Sequence, residues 1–183
     1  MRGGIKRVIR YLAGAPSCKW IFKYQNEPNC VTLQTDSDWA GCVVTRRSTS
    51  GGAIYLGDHL IHHWSKLQGP VALSSGEAEL GAQVKGIAEA LGIRNAVRSL
   101  GVHVGVSSFV DSSASKGIVS RVGVGKIKHL EVKHLWVQAF VRDGSVQVFK
   151  IPRKINTADL LTHSCTSAEL YNHLSRMGLK VSF

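Results

Sequence analysis

The chain of 183 residues, 44% hydrophobic and 19% charged, has the length and balance of one globular domain with at most a short appendage, which excludes a disordered tail. Its 23 Lys and Arg against 12 Asp and Glu give a formal charge of +11, and such an excess attracts a polyanion, nucleic acid ahead of a membrane surface. No apolar run approaches the roughly 18 residues of a membrane helix, and Cys18, Cys30, Cys42 and Cys165 form neither a C-x-x-C nor a zinc-ligand cluster, so a reducing, intracellular compartment fits better than a disulfide framework.

Residues 2–13 read as a surface helix, because Ile5, Val8, Ile9 and Leu12 recur at helical spacing and Gly14 and Pro16 stop it. Residues 19–24 follow as a strand or an extended linker, and 31–36 (VTLQTD) as a short strand. The stretch 51–66 turns at Gly57-Asp58, a pair that favours a tight reversal, and reads as a hairpin. After a brief extended piece at 71–73, Ser74-Ser75-Gly76-Glu77 has the form of a capping box. Leu80, Val84, Ile87 and Leu91 then repeat at helical spacing, and Gly101 lies past the helix end. Gly81 and Gly86 inside that helix each cost about 1 kcal/mol relative to alanine, a sign of close packing or of relaxed selection.

Residues 107–110 read as a strand running into Asp111, 112–119 as a short helix, 129–142 as another and 146–151 as a strand. Asn156 caps a helix carrying Asp159 and Leu160, and 166–178 form a final helix. Three strands, a helix and then alternating elements imply an α/β fold, a mixed sheet flanked by helices.

Acidic residues are scarce, so their positions inform. Asp36 and Asp111 follow strands, while Glu79 and Asp159 lie at helix starts. Strand ends and helix starts are where such folds gather side chains into one cleft. Four carboxylates meeting in a basic protein repel one another unless cations neutralise them, and an all-oxygen cluster suits Mg²⁺ or Mn²⁺. Two such ions, roughly 3.5–4 Å apart, activate a water and stabilise a leaving oxygen at phosphate. Each residue also has a plainer reading. Asp36 could end its strand as a turn residue, with Asp38 the important neighbour; Asp111 could cap the next helix; Asp159 could pair with the cap at Asn156; Glu79, like Glu77, could simply favour a helix N-terminus.

Five segments decide among these readings: TDSDWAGCVVTRRSTSGGAIYLG, HWSKLQGPVALSSGEAEL, VDSSASKGI, KHLEVKHLWVQAFVRDGSVQV and INTADLLT. In this order they resemble the ribonuclease H (RNase H) domain of copia-type LTR retrotransposon Pol polyproteins, and the upstream IKRVIRYLAGAPS resembles the connection from the reverse transcriptase. The resemblance implies residues 1–28 as that connection and 29–183 as an RNase H-like domain, with a mixed five-stranded sheet whose first three strands are antiparallel. It implies a metal-binding and catalytic quartet of Asp36, Glu79, Asp111 and Asp159, with Glu77 left as the cap and Asp38 behind the ligands. Arg46, Arg47, Ser48, Thr49, Lys128 and His129 fall on family segments suited to phosphate and strand contacts.

The implied activity is cleavage of the RNA strand of RNA/DNA hybrids with two Mg²⁺ or Mn²⁺ ions. The implied setting is a cytoplasmic particle or the nucleus, with a reverse transcriptase upstream as partner and no membrane. Where the family continues A-D-x-x-T-K-P, this chain reads ADLLTHSC, so His163 and Ser164 replace Lys and Pro. His163 reads as a solvent-facing residue, with a role in proton transfer as the sharper option. The chain carries no reverse transcriptase, which leaves a polyprotein fragment, a degenerate copy or a product reduced to one domain. The alternative function is a catalytically inactive relic that binds nucleic acid. An integrase-type enzyme is disfavoured, since Glu79 comes second here rather than last.

Overall fold

The structure, a computed structural model, describes residues 2–15, 17–123 and 134–182. The elements in chain order are α1 (Arg2–Gly14), β1 (Ser17–Trp20), β2 (Cys30–Ser37), β3 (Thr49–Leu56), β4 (His59–Leu67), α2 (Ser75–Ser99) and β5 (Gly105–Val110). After them come α3 (Ser113–Val119), α4 (Trp136–Arg142), β6 (Val146–Lys150), two 3₁₀ turns (Arg153–Ile155 and Thr157–Leu161), α5 (Ser167–Arg176) and β7 (Leu179–Ser182).

The expected mixed sheet is present, in the order β4-β3-β2-β5-β6. β2, β3 and β4 pair antiparallel through the hairpin that reverses at Gly57, and β5 and β6 add in parallel. Val31 and Leu33 on one face of β2 pack with Ile54, Val106 and the α2 residues Leu80, Val84 and Ile87 to form the main core. A side chain cannot be added at Gly86, since its Cβ would lie 2.6 Å from Thr35 Cγ2 and 2.9 Å from Leu33 Cδ1. Close packing of α2 on the sheet therefore accounts for that glycine. The opposite face carries a smaller cluster of Ala53, Tyr55, Leu60 and Met177, covered by Leu160, Leu161 and Leu179.

Several details differ from the sequence reading. A second, two-stranded sheet joins β1 to β7, with Ser17 opposite Ser182; pairing between chain ends leaves no local periodicity to read. Residues 71–73 form no strand. The helix at Asn156 is a short 3₁₀ turn, although Asn156 caps it as expected by accepting from Ala158 N. Of the helix expected at 129–142, α4 lies within the described residues, and 129–133 lie outside them. In α1 the apolar stripe of Ile5, Val8, Ile9 and Leu12 is exposed. Among the described residues, no helix is long and apolar enough to cross a membrane.

Candidate active site

β2 is the central strand, and Asp36 lies near its C-terminal end, 3% exposed. It is a strand residue, paired with Gly51 of β3, rather than part of a turn. The parallel register that sets Gln34 opposite Phe109 carries Asp36 and Asp111 to the same level two residues further on. Asp111 is not the cap of α3, because Ser112 Oγ fills that position by accepting from Ser115 N.

Glu79 and Glu77 divide along the lines the capping pattern suggests. Ser74 Oγ accepts from Glu77 N, and Glu77 reaches back to accept from Leu73 N at 2.7 Å. Glu79, two residues on, turns toward the sheet. Asp36, Glu79 and Asp111 each offer an oxygen, and these atoms lie within 4.8 Å of one another. Glu79 Oε2 is buried without a hydrogen-bond partner.

The fourth carboxylate is held by side chains that anchor its turn to the sheet. Asn156 Nδ2 donates to Thr35 O at 2.9 Å. Thr157 donates to Gln34 Oε1 through its N–H and hydroxyl at 2.7 and 2.8 Å, and its hydroxyl also meets Tyr55 Oη at 2.7 Å. Gly51 makes room for the turn, since a Cβ there would lie 2.8 Å from Ala158 O, Leu161 Cβ and Thr162 Cγ2. Asp159 is therefore no capping partner: Arg153 donates to its Oδ1 through Nε and Nη2, each at 2.8 Å. From the same turn Thr162 Oγ1 donates to Asp36 Oδ2.

His163 does not simply face solvent. Its Nε2 lies 3.7 Å from Asp36 Oδ2 and 4.0 Å from Asp159 Oδ1, with 37% of the side chain exposed. Arg153 and Thr162 were not singled out in the sequence. A bond between Arg153 and Asp159 has no helical or strand spacing to announce it, and it exists only because the two 3₁₀ turns fold back.

Electrostatics follow the crowding. Burial pushes the Glu79 carboxyl up to about 9, with the charges of Asp36 and Asp111 adding to it. Asp36 is raised by burial, although the Thr162 hydroxyl opposes the rise. Asp111 is raised by burial and then by Asp36. A buried oxygen without a donor, in a set of carboxyls that cannot all ionise alone, fits a divalent cation.

The remaining site candidates have different fates. Asp38 accepts from Thr49 N and exchanges a further bond from its own N–H to Thr49 O, so it fastens the β2–β3 loop. Arg46 and Arg47 are exposed on that loop, Arg46 at a positive φ of 56°. Thr49 begins β3, half-buried. Ser48 differs from its neighbours: it is 1% exposed and its hydroxyl accepts from Ala40 N, so its side chain shapes the loop from inside. Lys128 and His129 lie outside the described residues.

No protein-family model matches the chain. It is 28% identical over 178 residues to the retrovirus-related Pol polyprotein from transposon RE1 of Arabidopsis thaliana, covering 96% of this chain and 12% of that protein. To the corresponding polyprotein from transposon TNT 1-94 of Nicotiana tabacum it is 31% identical over 160 residues, 86% of this chain and 12% of the relative. The chain thus spans a small part of the length of these curated relatives. Among solved structures it is similar to LC11-RNase H1, isolated from compost, with a TM-score of 0.58 and 19% identity over 73% of this chain and 93% of that one. The N-terminal RNase H domain of a Mycobacterium tuberculosis protein gives a TM-score of 0.52 and 21% identity, over 78% of this chain and 97% of that one. At such identities the likeness is one of fold.

Proposed function

We propose that this chain, a homologue of copia-type Pol polyproteins with the fold of RNase H, cleaves the RNA strand of RNA/DNA hybrids at the carboxylates around Asp36. The observation that carries this reading is the convergence of Asp36, Glu79 and Asp111 beside a buried Glu79 oxygen that lacks a donor. Asp36, Glu79 and Asp111 would hold one divalent ion, and Asp36 with Asp159 a second, Mg²⁺ or Mn²⁺. When bound, such ions supply an activated water and a charge clamp on the scissile phosphate. The protein's own groups do the rest. Thr162 fixes one oxygen of Asp36, the anchored turn holds Asp159 at the strand end, and Glu79, its carboxyl raised to about 9, would ionise only against a cation's charge.

Hybrid binding falls to the basic surface. Arg46 and Arg47 project from the loop that follows Asp36, and contacts to phosphate and 2′-hydroxyl groups need no base readout. A reverse transcriptase segment is the partner that the Pol relatives suggest. A labelled hybrid incubated with the chain and Mg²⁺ or Mn²⁺ tests the reading: cleavage is expected, and it should vanish in the Asp36→Asn, Glu79→Gln double variant. Equal cleavage by the two proteins would reject it.

One observation favours a second reading, a nucleic-acid-binding relic without turnover. Arg153 already sits on Asp159, a position at which a resident cation would otherwise be needed. Salt-dependent hybrid binding with no cleavage in either metal would select that alternative.

A further inference from the structure

We propose that Asp36, Asp159 and His163 form a mixed carboxylate–imidazole cation site, which takes a borderline ion such as Mn²⁺ or Zn²⁺ in preference to Mg²⁺. This deepens the reading above and rests on it, since it names the donors and the metal preference on one side of the same site.

The donor atoms of the three residues lie within 4.8 Å of one another. A nitrogen and an oxygen bound to one ion at about 2.1–2.2 Å stand roughly 3.0–3.7 Å apart. The observed separations from His163 Nε2, 3.7 and 4.0 Å, therefore need only a small contraction. The arrangement is built by the backbone. His163 N donates to Asp159 O at 3.1 Å, a one-turn closure that brings side chains four apart onto one face. Thr162, between them, holds Asp36 Oδ2 in place. Asp159 and His163 also line one open cavity with Arg153, Ser164 and Glu169, so an ion has a path of entry.

Metal preference follows from donors and charge. Mg²⁺ seeks oxygen ligands and keeps its waters, whereas imidazole suits softer divalent ions. Arg153, bonded to Asp159 Oδ1, repels every divalent cation alike, so the preference rests on the imidazole donor.

The experiment uses the whole chain with metal alone. Electron spin echo spectroscopy of the Mn²⁺-loaded protein reads directly bound nitrogen, and calorimetry reads Mn²⁺, Zn²⁺ and Mg²⁺ binding, for wild type, His163→Ala and His163→Asn. Expected is nitrogen modulation in the wild type that disappears in both variants, with Mn²⁺ and Zn²⁺ binding at one site weakened roughly tenfold or more and Mg²⁺ binding little changed. Ion binding without nitrogen modulation, or modulation that survives both substitutions, overturns the inference and leaves the reading of the site standing. If the wild type binds no divalent ion at all, inference and reading fall together.

Discussion

Asp36 divides the site into two flanks of unlike chemistry. On one side Glu79 and Asp111 reach it from the start of α2 and the end of β5. Among the described residues no ion pair reaches either of them, and Glu79 keeps an oxygen without a donor. On the other side Asp159 comes with Arg153, Thr162 and His163, so the protein supplies a guanidinium charge and hydrogen bonds. The first flank limits its charge by keeping the Glu79 proton, whose place an added cation would take. The second carries one guanidinium against two carboxylates and stands open to solvent. A site can thus lack any protein cation on one side and be partly compensated by an arginine on the other, and the two sides should respond differently to the same perturbation.

Asp36 serves both flanks, so its loss should have the largest effect. Asp36→Asn is expected to lower hybrid cleavage by roughly a thousandfold or more, about 4 kcal/mol of barrier, in a gel assay with Mg²⁺ or Mn²⁺. Retention of most of the activity would break the comparison at its centre.

The next effect belongs to the Glu79 flank alone and has a definite sign. Its carboxyl is raised in the folded protein to about 9, so its contribution to stability is complete below the ordinary range near 4.5. That contribution is lost as pH climbs through about 9. Metal-free protein should therefore become less stable between about pH 5 and 9. Glu79→Gln should flatten that fall and stabilise the metal-free protein at pH 8 by on the order of a few kcal/mol, read by thermal melting in chelator. Divalent ions should reverse the wild-type trend, since binding displaces the Glu79 proton. A wild type whose melting temperature rises with pH in chelator would contradict the assignment.

Gly51→Ala probes the other flank. Its Cβ meets Ala158 O, Leu161 Cβ and Thr162 Cγ2 at 2.8 Å, and overpacking of this kind costs about 1–3 kcal/mol. The turn carrying Asp159 should shift while the Glu79 side stays intact. In calorimetry one ion should then bind as before and the other more weakly; loss of both together would show that the flanks are not independent. Smallest is Arg153→Gln. Arg153 is 60% exposed, so folding stability should change by less than about 1 kcal/mol. Divalent ions on the Asp159 side should bind a few-fold more tightly at low salt, and that gain should fade as salt is added.

The same division separates what could be read from the chain in advance. Local pattern puts Asp36 and Asp111 at strand ends and Glu79 beside a capping box, but each also has a plainer local reading, and it is the family motif that selects them together with Asp159. The partner of Asp159, Arg153, and its anchor, Gln34, carry no such mark, and the motif departure at His163 does not tell where its ring points. Ser48 belonged to a motif segment, and burial turned it inward.

Hydrophobic periodicity, caps and turn residues therefore determined the mixed sheet, the long α2 and the scarce acids at element ends, because each depends on neighbours a few residues away. Only the tertiary structure decided the β1–β7 pairing, the seat of the Asp159 turn on Gly51, and the approach of His163 to Asp36. These contacts join residues far apart in sequence. Their existence depends on which faces the packed sheet leaves open, and no local pattern of side chains encodes that.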